Sequence, residues 1–106
     1  MLNVDMLRGA GVQAMEKTES AEARLKRMRM RSWRRGTKEM DLILGPYADA
    51  ALAQMSETDL LTYDVLLEEN DQDLLPWVLG QSAAPESLAG MIEKIGLAAR
   101  ARLGNC

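Results

Sequence analysis

A glycine between two opposite charges is the feature of this sequence best suited to recognition. Arg35 precedes Gly36, and Glu39 follows three positions later, at the end of a run rich in arginine. Glycine has no Cβ atom, so it adopts positive φ angles easily and lets another backbone come close. We therefore expect this stretch to be a contact surface for another protein, with a guanidinium and a carboxylate on either side of an open position.

The residues that most enzymes use for chemistry are scarce in this sequence. There is no histidine and the single cysteine is Cys106, which excludes Cys/His metal sets, histidine-based acid–base catalysis and an internal disulfide. Two pairs of acids, Asp59 with Asp64 and Asp71 with Asp73, have no nucleophile or glycine-rich phosphate loop beside them. Helix caps and solvated helix faces favour the same residues. We expect a protein that is not an enzyme and that binds no metal.

Size and composition indicate one small globular domain. The chain has 106 residues, of which 47% are hydrophobic and 27% are charged. No apolar run approaches the roughly 20 residues that cross a bilayer, and the start of the chain lacks the charged and apolar regions of a signal peptide. We expect no membrane span, a cytoplasmic location, a loosely ordered tail over residues 1–19 and a single helical domain over residues 20–104.

The charges are strongly segregated along the chain, although the formal net charge is only −3. No lysine or arginine occurs from Glu39 to Glu93, whereas a short basic stretch precedes that window. The basic residues of that stretch are Arg24, Lys26, Arg27, Arg29, Arg31, Arg34, Arg35 and Lys38. A surface polarised in this way orients a partner during encounter.

The spacing of apolar residues predicts five helices and no strand, and therefore an all-α fold, a small five-helix bundle. The first helix is expected from about Ser20 to Trp33, with its arginines pointing outwards. The second is expected to open at Gly36 or Thr37, where Thr37 can cap it. Gly45-Pro46 should bend that helix near its middle.

The remaining helices are marked by caps and prolines. Ser56 is expected to cap the third helix, and Gly80 to end the fourth. Pro76 should shorten the fourth helix or move its start later. Pro85 suits the first position of the fifth helix, which Gly104-Asn105 should end.

The sequence also resembles a known family. Arg35-Gly36-Thr37-Lys38-Glu39 matches the RGxxE motif of the SdhE family of succinate dehydrogenase assembly factors. The spacing to Asp71-Gln-Asp-Leu-Leu-Pro-Trp77 is also similar to that family, so the resemblance covers about residues 25–79. It implies a five-helix bundle that binds the flavoprotein subunit of succinate dehydrogenase, or of the related fumarate reductase, and promotes covalent attachment of FAD to it.

The resemblance also implies which groups belong to which protein. FAD and the histidine that accepts it belong to the partner, and this chain is expected to bind no cofactor stably. Its role would be to position the partner's groups, with Arg35 or Glu39 tuning the electrostatics of the site from outside. The motif residues expected to face the flavoprotein are Arg35, Gly36 and Glu39, with Trp33, Arg34 and Asp41 as neighbours.

Two other functions compete with this interpretation. A helical nucleic-acid-binding module would place arginines against phosphates, although the acidic window after residue 38 would repel a polyanion. The arginines concerned are Arg24, Arg27, Arg31, Arg34 and Arg35. A small flavoprotein that binds FAD itself would need a GxGxxG fingerprint and more interior volume than a chain of this length provides.

Overall fold

The computed structural model describes residues 19–104, which form five α-helices, one short 3₁₀ helix and, within that range, no strand. The α-helices are α1 (Ala21–Trp33), α2 (Lys38–Ala51), α3 (Glu57–Leu66), α4 (Asp71–Val78) and α5 (Glu86–Gly104), and the 3₁₀ helix is Leu52–Gln54. The predicted all-α five-helix bundle is confirmed. The predicted tail lies outside the described residues apart from Glu19, as does Cys106.

Three helices begin where local sequence signals place them. The Ser20 hydroxyl accepts a hydrogen bond from the amide of Ala23 at 3.0 Å, and the Ser56 hydroxyl accepts one from the amide of Asp59 at 3.1 Å. Thr37 caps α2 in the same way. Such caps satisfy amides that a helix start leaves without an intrahelical partner, so the predicted starts of α1, α2 and α3 are confirmed.

Pro76 does not delay the start of α4. Pro76 lies in the second turn of α4, which has 8 residues and still begins at Asp71, so of the two expected effects the short helix is observed and the late start is wrong. The missing amide removes a single intrahelical bond, while the start of the helix is held by contacts described below. The fifth helix begins at Glu86, one residue after Pro85. Gly80 follows α4 with φ of +78°, as a helix terminator should.

The arginines of α1 lie at the surface, as expected, but they are paired with acids and do not point freely into solvent. They reach across to acids on α3 and at its C-terminal end, in the ion pairs Arg24–Glu57 at 3.0 Å, Arg27–Asp64 at 2.9 Å and Arg31–Glu68 at 2.6 Å. Hydrogen bonding from the Arg27 guanidinium holds the pKa of Asp64 below its ordinary value. Part of the basic stretch and part of the acidic window therefore neutralise each other inside one molecule.

The core forms where the buried faces of α2, α3, α4 and α5 meet, with Met28 of α1 added to it. Tyr63 is completely buried, and its hydroxyl lies 2.7 Å from the buried hydroxyl of Ser32. Burial raises the pKa of Tyr63 to about 12. The other buried apolar side chains are Met40, Leu44, Ala48, Leu52, Leu66, Leu67, Leu74, Val78, Leu88, Met91, Ile92, Ile95 and Ala99.

Candidate partner-binding site

Gly36 lies at the surface in the short loop between α1 and α2. Its φ is +113°, which L side chains rarely adopt, and a Cβ atom built on it would meet nothing within 4 Å. Glycine is therefore required here by the backbone conformation and not by crowding within the molecule. The space next to this backbone is open to the backbone or side chain of another protein, as the sequence predicted.

Arg35 points into the molecule, which corrects the expectation that its guanidinium faces outwards. Its side chain is only 8% exposed and pairs with Asp71 at 2.9 Å. The two terminal nitrogens donate to the carbonyl oxygens of Leu67 and Glu69, each at 2.6 Å. Arg35 thus ties the loop to the end of α3 and the start of α4. Its place among the partner-binding residues stays a prediction.

Two further contacts fix the loop around Gly36. The backbone amide of Arg35 donates to a carboxylate oxygen of Asp41 at 2.6 Å. The Thr37 hydroxyl donates to Asp71 at 3.3 Å. Asp41, a predicted site residue, therefore supports the loop from α2, and Asp71 supports it from α4. Residues on both sides of Gly36 are held, so its exposed backbone is presented in a defined position.

The other predicted residues lie around this loop in different environments. Glu39 is exposed in the first turn of α2, and Arg34 is exposed at the end of α1. Within the described part of the chain, neither side chain makes a hydrogen bond or ion pair. Trp33 is 38% exposed, and its Nε1 donates to Asp49 at 3.1 Å. It covers Gly45, where a Cβ atom would overlap the indole ring. Trp33 is thus both a packing residue and an exposed one.

A groove runs from Gly36 along α4. The Gly36 loop and the start of α2 form one wall, and residues 69–76 form the other, which the sequence analysis did not predict. Two adjoining clefts of about 440 Å³ and about 350 Å³ share Thr37, Asp71 and Gln72. Together they form what we call the motif groove, lined by Arg35, Gly36, Thr37, Glu39, Glu69, Asn70, Asp71, Gln72, Leu75 and Pro76. The sequence predicts Asp71 only as a residue of a helix cap or a solvated helix face, and not as part of a wall beside Gly36.

Two classes of site find no support in the described residues. Between residues 19 and 104, no cluster of three or more Cys, His, Asp or Glu residues could hold a metal ion. Over the same range, no helix has the length and hydropathy that crossing a membrane requires.

Comparison with known proteins identifies the relatives. The chain is 38% identical over 68 residues to the mitochondrial succinate dehydrogenase assembly factor 2 of Schizosaccharomyces pombe, covering 64% of this chain and 49% of that protein. It is 35% identical over 63 residues to the FAD assembly factor SdhE of Haemophilus ducreyi, covering 58% of this chain and 77% of that protein. A protein of Dictyostelium discoideum with the same name as the yeast relative is 31% identical, and 50% of it is covered.

The chain spans about half the length of these two eukaryotic relatives and about three quarters of the bacterial one. The relatives are named as assembly factors and not as enzymes, in agreement with the expected non-enzymatic role. A family model described as "Flavinator of succinate dehydrogenase" matches residues 26–98, which include both walls of the motif groove. The chain belongs to this family of succinate dehydrogenase flavinators.

Proposed function

We propose that this protein is an assembly factor that binds the flavoprotein subunit of succinate dehydrogenase, or of fumarate reductase, and promotes covalent attachment of FAD to it. The observation that supports this most is the family match over residues 26–98 together with an open Gly36 in that range, whose two neighbours are hydrogen-bonded to α2 and α4. The proposed contact surface is the Gly36 loop with Glu39 and the exposed parts of Trp33 and Arg34.

The proposed mechanism is positioning of the partner's own groups. Glu39 is the exposed carboxylate nearest to Gly36 along the chain, and the Arg35 guanidinium is already bonded to Asp71 and two carbonyl oxygens. Because its guanidinium is engaged in this way, Arg35 is not available to act together with Glu39 as an acid–base pair. The chain therefore acts on the flavoprotein through the shape of its surface. Holding the flavoprotein with its flavin and acceptor residue aligned lowers the entropic part of the barrier. FAD belongs to the partner in this proposal, and the chain binds none stably.

The competing nucleic-acid function is disfavoured by the ion pairs of α1. Arg24, Arg27 and Arg31 are paired with acids of the same chain, so engaging phosphates would require those pairs to be broken. Glu57 and Glu68 would then remain as uncompensated charges facing a polyanion. Binding to arbitrary duplex DNA that weakens steeply with salt would support this alternative and contradict ours.

Covalent flavin is the direct measurement of the proposed activity. Purified flavoprotein subunit and FAD are incubated with and without this chain, and flavin fluorescence of the subunit is recorded on a denaturing gel, which retains only covalently bound flavin. We expect a stronger or faster signal with the chain present. A signal that the chain leaves unaltered would contradict the proposal. The isolated chain should also be colourless and show no saturable FAD binding.

A matched pair of glycine variants tests the site. Gly36 and Gly80 both have positive φ and open space where a Cβ atom would lie. Gly80 has φ near the left-handed well, so Gly80→Ala should cost about 1–2 kcal/mol, whereas Gly36 at +113° lies farther from it and Gly36→Ala should cost at least as much. Only Gly36→Ala should reduce copurification with the flavoprotein and covalent flavin. Equal effects of the two variants would assign the loss to stability and remove Gly36 from the contact surface.

Client and compartment follow from the same proposal. Succinate dehydrogenase and fumarate reductase flavoproteins are both proposed clients, and comparing the covalent signal of each with the same chain measures the preference. The cytoplasmic location expected from the sequence stays a prediction, which cell fractionation tests.

A further inference from the structure

The motif groove has two ends of different chemistry. The end beside Gly36 is lined by polar groups, among them Glu69, Asn70 and Gln72. The end beside Glu39 is lined mainly by the apolar side chains of Leu75 and Pro76 on α4. The two clefts share lining residues, so one continuous ligand can contact both ends.

The charges along the motif groove are unbalanced. Arg35 and Asp71 are 8% and 12% exposed and pair with each other, so they present little net charge to a segment bound in the groove. Glu39 and Glu69 line the two ends, and in the described part of the chain neither carboxylate accepts a hydrogen bond or forms an ion pair. Two uncompensated carboxylates in one groove favour a cationic group and disfavour an anionic one.

The apolar end is exposed because α4 directs only part of its surface to the core. Leu74 and Val78 are buried, whereas Leu75 is only partly buried against the core and Pro76 is also partly exposed. Pro76 has no amide hydrogen to bond the preceding turn. An apolar side chain laid against Leu75 and Pro76 would remove this surface from water, which is the usual source of affinity at an interface core.

We propose that the motif groove seats a segment of the flavoprotein that carries a lysine or arginine beside an apolar side chain. The cation reaches Glu69 or Glu39, the apolar side chain covers Leu75 and Pro76, and the segment backbone passes the open Gly36. This inference rests on the proposed function and extends the docking surface from the contiguous motif to the first two turns of α4.

Filling the groove is the first test. Gln72 is exposed, lies on α4 and lines both clefts, so Gln72→Trp fills the groove without disturbing the core. Gln54→Trp makes the same change at an exposed position of the 3₁₀ helix that does not line the groove. We expect Gln72→Trp to raise the Kd for the flavoprotein about 10-fold or more and Gln54→Trp to leave it unchanged. Equal affinities, with both variants folded by circular dichroism, would overturn the proposal.

Neutralising the two glutamates is the second test, and it does not require the fold to accommodate a large side chain. Glu39→Gln and Glu69→Gln should each raise the Kd about 2- to 5-fold at low salt, the range expected for exposed ion pairs. The effect should fade as salt rises from about 0.05 M to about 0.5 M, because screening shortens the range of these charges. Glu22→Gln on α1 is the control, since Glu22 is exposed and distant in sequence from the groove. Tighter binding by the groove variants would indicate an anionic occupant and overturn the proposal.

Failure of this inference is distinguishable from failure of the proposed function. A wild-type chain that neither binds the flavoprotein nor raises its covalent flavin would refute the function itself. Wild-type binding that is insensitive to Gln72→Trp and to both glutamate variants would refute the groove alone.

Discussion

Replacing Arg35 by alanine should destabilise the fold far more than replacing its neighbour Arg34. The Arg35 side chain is 8% exposed, and its guanidinium donates to Asp71 and to the carbonyl oxygens of Leu67 and Glu69. Alanine would leave a carboxylate that is only 12% exposed without its cation. It would also remove the donor from the carbonyl oxygen of Glu69 and one of the two donors to that of Leu67, which Arg31 also contacts at 3.2 Å.

The magnitude follows from what is left unpaired. Breaking a buried ion pair by removing one partner costs about 3–5 kcal/mol, and the carbonyl oxygens add less because water can enter the space left by the side chain. We therefore expect Arg35→Ala to cost about 3–5 kcal/mol, a large part of the roughly 5–15 kcal/mol that stabilises a typical domain. Arg35→Lys keeps the charge but not the planar fork, so it should cost about half as much. Arg34→Ala should stay within about 0.5 kcal/mol.

Urea denaturation followed by circular dichroism measures these differences. With a slope of about 1.5 kcal/mol per molar urea, the Arg35→Ala midpoint should fall by about 2–3 M. A loss below about 1 kcal/mol, or equal losses for the two arginine variants, would show that Arg35 does not hold the loop. The motif arginine would then have to be explained by its contacts with a partner.

Further predictions concern the core and the α1–α3 ion pairs. Ser32→Ala should cost about 1–3 kcal/mol, because it leaves the buried Tyr63 hydroxyl without its partner; Tyr63→Phe added to it should recover part of that loss in urea unfolding. The free energy of unfolding should fall between pH 10 and 12, since the folded protein keeps the Tyr63 proton that the unfolded chain loses, and Tyr63→Phe should flatten this fall. The pKa of Asp64 is lowered by Arg27, so the ionised carboxylate stabilises the fold above the ordinary pKa of 3.8. This stabilisation is lost as pH drops below that value. Asp64→Asn should therefore weaken the acid dependence of stability, and an unchanged slope would contradict the pairing.

Local signals predicted most of the helix boundaries. The Ser20, Thr37 and Ser56 caps and the Gly80 terminator act within a few residues of the backbone they satisfy. Such short-range chemistry is readable from sequence. The error at Pro76 arose because a proline near a helix start is compatible with several registers, and contacts with the rest of the fold select one of them.

The direction of the arginines could not be read in the same way. Arg35 meets Asp71, and Arg27 meets Asp64, across more than thirty residues of chain. Periodicity shows that a helix has a charged face, but not whether another helix covers that face. The α4 wall of the motif groove was missed for the same reason, since only the folded chain brings residues 69–76 beside Gly36.

The position of Trp33 gives the protein an optical reporter of its own. The indole lies against Gly45, donates to Asp49 and remains 38% exposed, two residues before the motif. Docking at the Gly36 loop would dehydrate that ring and shift its emission to the blue. In a Trp77→Phe background it would be the sole indole of the chain, so association could be followed in real time without a dye or a tag.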